Sequence, residues 1–292
     1  MFPKHEMGEM AEILRLSQRL IDLADGDFTK ANLLFGSPLT YCIAMRGIAR
    51  ASLGVAGWQQ DVEDATAAAR GADTMTRASV VFYTYISALA FGLVLPDETA
   101  LAHTAGNYEF AKQAGEEFAV GLSETVHGIV LACRDGADCA AGIELLVRAR
   151  ERALDQQFTL TVPPIADSYI ARERARRGDV DGAIELARAT VDDLATAGSV
   201  WIVLATTVLV EALLTRGTDK DLDEANAAID RLAAAPTDSG YVVNDIAVLR
   251  LRALLAQARR DTDSYRAYRD RYRAMATSLG YQGHMAIAAA ME

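Results

Sequence analysis

At 292 residues with a formal net charge of −11, the chain is long enough for two compact domains or one elongated array. Its acidity excludes non-specific nucleic-acid binding over the whole surface. A hydrophobic content of 51% with only 6 Pro, and few alternating β-branched runs, argues against an all-β fold. Cys42, Cys133 and Cys139 are an odd number of thiols scattered through helical segments. They form no disulfide framework and point to a reducing compartment. The N-terminal segment carries charges inside its apolar run, unlike a signal peptide. The most apolar stretch, Ser79 to Leu95, is interrupted by Tyr83, Thr84, Tyr85 and Ser87, short of the roughly 18 uninterrupted apolar residues of a membrane span. A soluble cytoplasmic protein is expected.

In chain order, apolar periodicity predicts a first helix from Met7 to Ala24, ending at Asp25-Gly26-Asp27. A loop through Asn32 to Gly36 follows. Ser37-Pro38 then opens a helix, Ser as N-cap and Pro in the first turn, running past Gly47 to Leu53-Gly54. Its partner runs from Trp58 to Gly71. Further helices are predicted over Met75–Leu93, Asp97–Gly115 and Glu116–Arg134. The loop Asp135 to Asp138 leads into Gly142-Ile143-Glu144-Leu145-Leu146, and Pro163-Pro164 starts the next helix.

That helix continues into the most informative stretch, Asp167 to Ala189. A helical run ends in Arg176-Arg177-Gly178, where Gly178 suits a left-handed residue past a helix C-terminus. Asp179 or Asp181 can cap the following helix. Ala171 and Ala183 are small enough to let the two helices cross closely. The spacing resembles a tetratricopeptide repeat, with small residues twelve apart across the turn. Beyond it come Ser199–Arg216, a helix starting at Leu222, Asp245–Arg260, Ser264–Leu279, and a last short helix from Tyr281.

These segments make about six helical hairpins at a period of roughly 35 to 50 residues. The expected fold is all-α, an α-solenoid of tetratricopeptide-like hairpins, with residues 1–292 forming a single array. The helix over residues 7–24 reads as half of a truncated hairpin, leaving an uncapped N-terminal face, and residues 281–292 read as a C-terminal cap.

Candidate chemistry is sparse. Gly54-Val55-Ala56-Gly57-Trp58 lacks the Gly-Lys-Ser/Thr ending of a phosphate loop, and His5, His103, His127 and His284 have no metal-ligand spacing. His127 reads as a satisfied interhelix histidine, and Cys133 and Cys139 as small core residues. No nucleophile elbow is present, so no catalytic residue, cofactor or metal site is assigned. Tyr265 to Arg273 interleaves arginines with aromatics, a pattern suited to single-stranded nucleic acid. Yet Tyr265, Tyr268, Tyr272, Met275 and Leu279 fall on one helical face and read as packed, with the arginines solvated opposite. Arg172, Arg174, Arg176 and Arg177 likewise suit a solvated face. Counting from the small-residue positions puts Arg172, Glu211 and Arg250 on the concave side of a tetratricopeptide-like array, where they form the candidate groove.

Several segments, taken together and in order, resemble one actinobacterial family. They are Phe35-Gly36-Ser37-Pro38-Leu39, Arg46-Gly47-Ile48-Ala49-Arg50, Leu53-Gly54 with Gly57-Trp58, and Ala171 to Asp179. To these are added Arg231 to Pro236, and Arg271 to Tyr281 with Gly283-His284-Met285. The set resembles the C-terminal helical region of mycobacterial adenylate/guanylate cyclase–ATPase signalling proteins, some of whose relatives carry a LuxR-type DNA-binding domain. The resemblance implies a non-catalytic sensory or scaffolding region beside upstream cyclase and ATPase domains. This chain has neither the metal-binding aspartates of a cyclase nor a Walker lysine, so none of the family's catalytic residues transfers to it. The expected partner is a protein, a peptide or a small effector, with no direct nucleic-acid or membrane contact. The alternative is a free-standing adaptor that dimerises through its N-terminal face.

Overall fold

The computed structural model describes residues 1–25, 27, 37–156 and 159–291. Among them are fifteen helices and no strand. They are α1 (Phe2–Glu6), α2 (Met10–Ala24), α3 (Pro38–Ser52), α4 (Trp58–Ala69), α5 (Thr74–Ala90), α6 (Glu98–Ala114), α7 (Glu117–Ala132) and α8 (Gly136–Asp155). Then follow α9 (Val162–Arg176), α10 (Val180–Ala197), α11 (Ile202–Arg216), α12 (Asp219–Ala234), α13 (Val242–Ala258), α14 (Thr262–Leu279) and α15 (Gln282–Ala290).

Local chemistry accounts for most boundaries. Ser37, Asp73, Asp97 and Asp261 each accept a hydrogen bond from the backbone N–H three residues on, satisfying a donor that the first turn leaves free. At the central turn Gly178 has φ 90°, and Asp179 is the residue that caps α10, through the Gly182 N–H. Three expectations are corrected. The helix expected from Met7 begins only at Met10, as α2, and a separate short helix, α1, precedes it across Gly8 with φ 73°. Residues 135–138 are not a loop, because Asp135 is already the N-cap of α8. Helix α12 starts at Asp219, three residues early, because Thr218 and Asp221 cap each other reciprocally. The loop expected over Asn32 to Gly36 lies outside the described residues.

The helices pack in sequence-adjacent pairs. Each even helix from α4 to α12 lies against the odd helix before it and the one after. The odd helices α3, α5, α7, α9, α11 and α13 also touch one another in succession. Small residues allow this approach: Ala171 and Ala183 are fully buried where α9 meets α10. Arginines at the ends of odd helices tie successive pairs together. Arg134 reaches Glu98 (2.7 Å), Arg176 reaches Asp135, Arg216 reaches Asp181 (2.6 Å), and Arg259 reaches Asp223 (3.4 Å). Each sets a cation at a helix C-terminus against an acid near a helix N-terminus, the sense the helix dipoles favour. These pairs are exposed, so they align the helices more than they stabilise them.

One hydrophobic cluster runs from Met10 to Met291 through most of the helices. It closes on itself because the last two helices return to α3–α5. Trp58 Nε1 donates to Leu279 O (3.4 Å), Tyr281 OH donates to Ala51 O, and Gln282 N donates to Leu93 O (2.9 Å). Tyr281 is fully buried there, edge-on to Trp58. The segment expected to be a terminal cap thus clasps the N-terminal helices, while Met285 and Ile287 face outward. No helix among the described residues is long and apolar enough to cross a membrane.

Candidate functional site

Positions 133, 172, 211 and 250 follow one another at intervals of 39 and carry Cys, Arg, Glu and Arg. Cys133 is the C-cap of α7, whereas Arg172, Glu211 and Arg250 lie inside α9, α11 and α13, and the packing of odd helices side by side brings these three together. Arg250 Nη2 donates to Glu211 Oε1, and Arg172 Nε lies 3.8 Å from Glu211 Oε2. The Arg172 guanidinium sits 5.5 Å from the Tyr169 ring, within cation–π range. The side chains are 34%, 28% and 16% exposed for Arg172, Glu211 and Arg250, so the cluster is reached from solvent but not surrounded by it.

Its electrostatics follow from that placement. Burial works against the ionised Glu211 carboxylate, but the charges of Arg250 and Arg172 outweigh it and hold the carboxyl below its usual pKa. Burial likewise opposes the charge on Arg172, and Glu211 reverses the balance. Two guanidiniums around one carboxylate leave an excess positive charge. Arg250 Nε is buried with no hydrogen-bond partner among the described residues, so this arginine has donor capacity left over.

Behind Arg250 lies a sealed pair. Tyr272 OH bonds to His284 Nδ1 (2.8 Å), and His284 Nε2 lies 3.0 Å from Phe91 O. This network assigns the imidazole its proton on Nε2, donated to the carbonyl. Burial first, then the Arg250 charge, push His284 down to about 4. Burial also raises the thiol pKa of all three cysteines, Cys42 and Cys139 to about 11, so none is a ready nucleophile. No group of three or more His, Cys, Asp or Glu suited to a metal ion is present among the described residues.

Replacing Glu211 by glutamine is expected to cost about 1–3 kcal/mol at pH 7, the range for losing hydrogen bonds to charged groups. The folded-state pKa is depressed, so the carboxylate's contribution is present above its unfolded value and is lost as pH falls through the folded one. Urea midpoints of wild type and E211Q should therefore differ at pH 7 and converge only as pH falls through the lowered pKa of Glu211.

Sequence spacing alone thus located three side chains that meet. The aromatic stripe on α14 packs as expected, with Tyr272 fully buried and Tyr265, Tyr268, Met275 and Leu279 against the core. Among the adjacent arginines, Arg273 donates to the carbonyls of Ala288 and Met291 at the chain's last helix. His127 bonds to Thr104 Oγ1 at 3.1 Å, an interhelix role. What spacing did not locate is the environment of Glu6, whose carboxylate accepts from Thr161 Oγ1 and Trp201 Nε1. Those partners lie more than 150 residues away, beyond the reach of any periodic pattern.

Comparison with protein-family models, with characterised proteins and with solved structures gave no match for this chain. The likeness to the cyclase–ATPase proteins accordingly rests on the sequence segments alone.

Proposed function

We propose that this chain is a non-catalytic α-solenoid of tetratricopeptide-like hairpins. Its role is that of the sensory or scaffolding part of a cyclase/ATPase-type signalling or transcription-regulatory protein. It holds a protein, peptide or small effector against α9, α11 and α13 and biases the state of neighbouring modules. The observation that supports this reading is the cluster of Arg172, Glu211 and Arg250, which meet where α9, α11 and α13 lie side by side. Repetition of hairpins makes a continuous surface of this kind, and a row of charges along it suits an extended partner. Two partly exposed guanidiniums around one carboxylate favour an anionic group on that partner.

The test is capture of a discrete effector by the full chain, compared with Arg250→Gln. Loss of that effector in R250Q, measured at a temperature where circular dichroism shows the variant still folded, supports the reading. Cyclase or ATPase turnover by the chain itself overturns it. The adaptor alternative draws on Leu20 and Leu23, exposed on α2 at 42% and 67%. A mass by light scattering that stays monomeric across concentration removes that alternative.

A further inference from the structure

Helix α1 is five residues long, too short to persist in water on its own. Its form comes from the berth it rests in, which is walled by α3, α5 and the segments leading into α9 and α11. Phe2 packs against Tyr41 and Tyr83, with ring centroids at 4.8 and 4.7 Å. His5 is fully buried, 2.9 Å from Ser87 Oγ and beside the Trp201 ring. The Glu6 carboxylate accepts from Trp201 Nε1 (2.7 Å) and Thr161 Oγ1 (2.5 Å), and its backbone carbonyl accepts from Val200 N (2.8 Å). An aromatic and an acid four residues apart lie on one helical face, and here each meets its own surface: rings for one, the Trp201 N–H, the Thr161 O–H and the neighbouring His5 imidazole (3.6 Å) for the other.

The fit is uneven. At the acidic end Glu6 is held on both its side chain and its carbonyl. At the aromatic end Phe2 remains 45% exposed. The Tyr41 hydroxyl next to it is buried without a hydrogen-bond partner among the described residues. Helix α1 and the Met7-Gly8 link also partition the space around them. Phe2 walls one cavity of about 500 Å³, Phe2 and Glu6 another of about 660 Å³, and Met7 and Gly8 a third of about 380 Å³. Withdrawal of α1 would join these spaces beside Tyr83 of α5 and Trp201, the residue before α11.

We propose that this berth is a docking site for a helical peptide segment of a partner protein, one presenting an acidic residue four positions after a large aromatic one. Helix α1 is the resident occupant that such a segment displaces. The inference rests on reading the chain as a partner-binding array, but not on the cluster of Arg172, Glu211 and Arg250. Recognition follows the helix-in-groove mode, with anchors spaced by one turn.

The probe is a fluorescent peptide spanning residues 1–9 of this chain, added to the full-length protein. Glu6→Ala removes the anchor of the resident helix and leaves Trp201 and Thr161 in place. The E6A protein should bind the peptide at least about tenfold more tightly than wild type, the size expected of one well-placed anchor. Adding Trp201→Phe, which keeps a ring and removes the N–H, should abolish that gain, as should a peptide with Gln in place of its Glu. Equal weak binding by wild type and E6A, or binding indifferent to W201F, overturns the proposal. Hydrogen exchange on the wild-type protein gives an independent answer if E6A misfolds. Fast exchange of the amides of residues 5–9 relative to those inside α11 supports displacement, and protection as strong as that of α11 refutes it. Effector capture that fails in R250Q while the peptide still docks to E6A separates this site from the cluster on α9, α11 and α13.

Discussion

Gly142→Ala is expected to destabilise the protein by about 3 kcal/mol or more, the upper end of what overpacking a core costs. A Cβ built on Gly142 would lie 2.3 Å from Ala132 N, 2.7 Å from Gly128 O and 2.8 Å from Leu131 C. All three are backbone atoms of α7, which cannot rotate aside as a side chain could. The only relief is to part α7 from α8, and the interior is packed too closely to absorb that. Gly128 faces the same crossing, its own hypothetical Cβ 3.0 Å from Leu145 Cβ, so separation would also loosen Leu145 and Leu146 from the core. Gly106 is the matched control. It lies inside α6, where an added Cβ would meet only the Arg77 guanidinium at 4.0 Å. Alanine there should be neutral or stabilise by about 0.5–1 kcal/mol through the backbone entropy that glycine loses on folding. Urea midpoints of the two variants should move in opposite directions; a wild-type midpoint for G142A would refute the close α7–α8 crossing.

The contrast between Gly142 and Glu6 marks what the sequence made legible. A hairpin crossing is decided within about twenty residues, so small residues on either side of a turn announce it, as Ala171 and Ala183 did. The cluster of Arg172, Glu211 and Arg250 was legible for a related reason: helices two apart in the chain lie side by side, so charges on neighbouring odd helices can meet. Two kinds of feature escaped. The first were boundaries set by a single reciprocal cap, as at Thr218 and Asp221, where polar residues read as turn instead began a helix. The second were contacts across the array. Whether Tyr281 meets Ala51 depends on how far each hairpin rotates on the one before, and small rotations summed over six hairpins decide it. No local pattern encodes that sum. The return of α14 and α15 to α3–α5 and the docking of α1 beside Trp201 are both of this kind. In each, the buried partner is an aromatic residue that looked, from the sequence, like one more apolar position on its own helix.

That closure should make the protein sensitive to mild acid, through His284. The imidazole faces Arg250 from α13, the Tyr272 hydroxyl from α14 and the Phe91 carbonyl beyond the end of α5, and α15 supplies no acid beside it. With no carboxylate among the described residues offsetting it, burial and then the Arg250 charge push it down to about 4 from an ordinary 6.5. Between those two values the unfolded chain takes up a proton that the folded chain refuses, so stability falls as pH falls through this window. The full shift corresponds to about 3 kcal/mol, with a slope of at most about 1.4 kcal/mol per pH unit. His103 and His127, also lowered by burial, add in the same direction. Glu6 and Glu211 are held below the usual carboxylate range, so their contributions fade only at lower pH. Wild-type urea midpoints should therefore drop between pH 7 and pH 5, well before the carboxylates titrate. In His284→Gln the midpoint should be lower at pH 7, because the Tyr272 and Phe91 contacts are remade imperfectly, but much flatter over the same interval. Limited proteolysis at pH 5 should cut the wild-type chain first near α15, since a charged imidazole beside Arg250 releases that helix from Gly92 and Leu93 before the rest unfolds. A wild-type midpoint unchanged from pH 7 to pH 5 would mean that His284 is solvated, and that the two ends of the array do not seal over it.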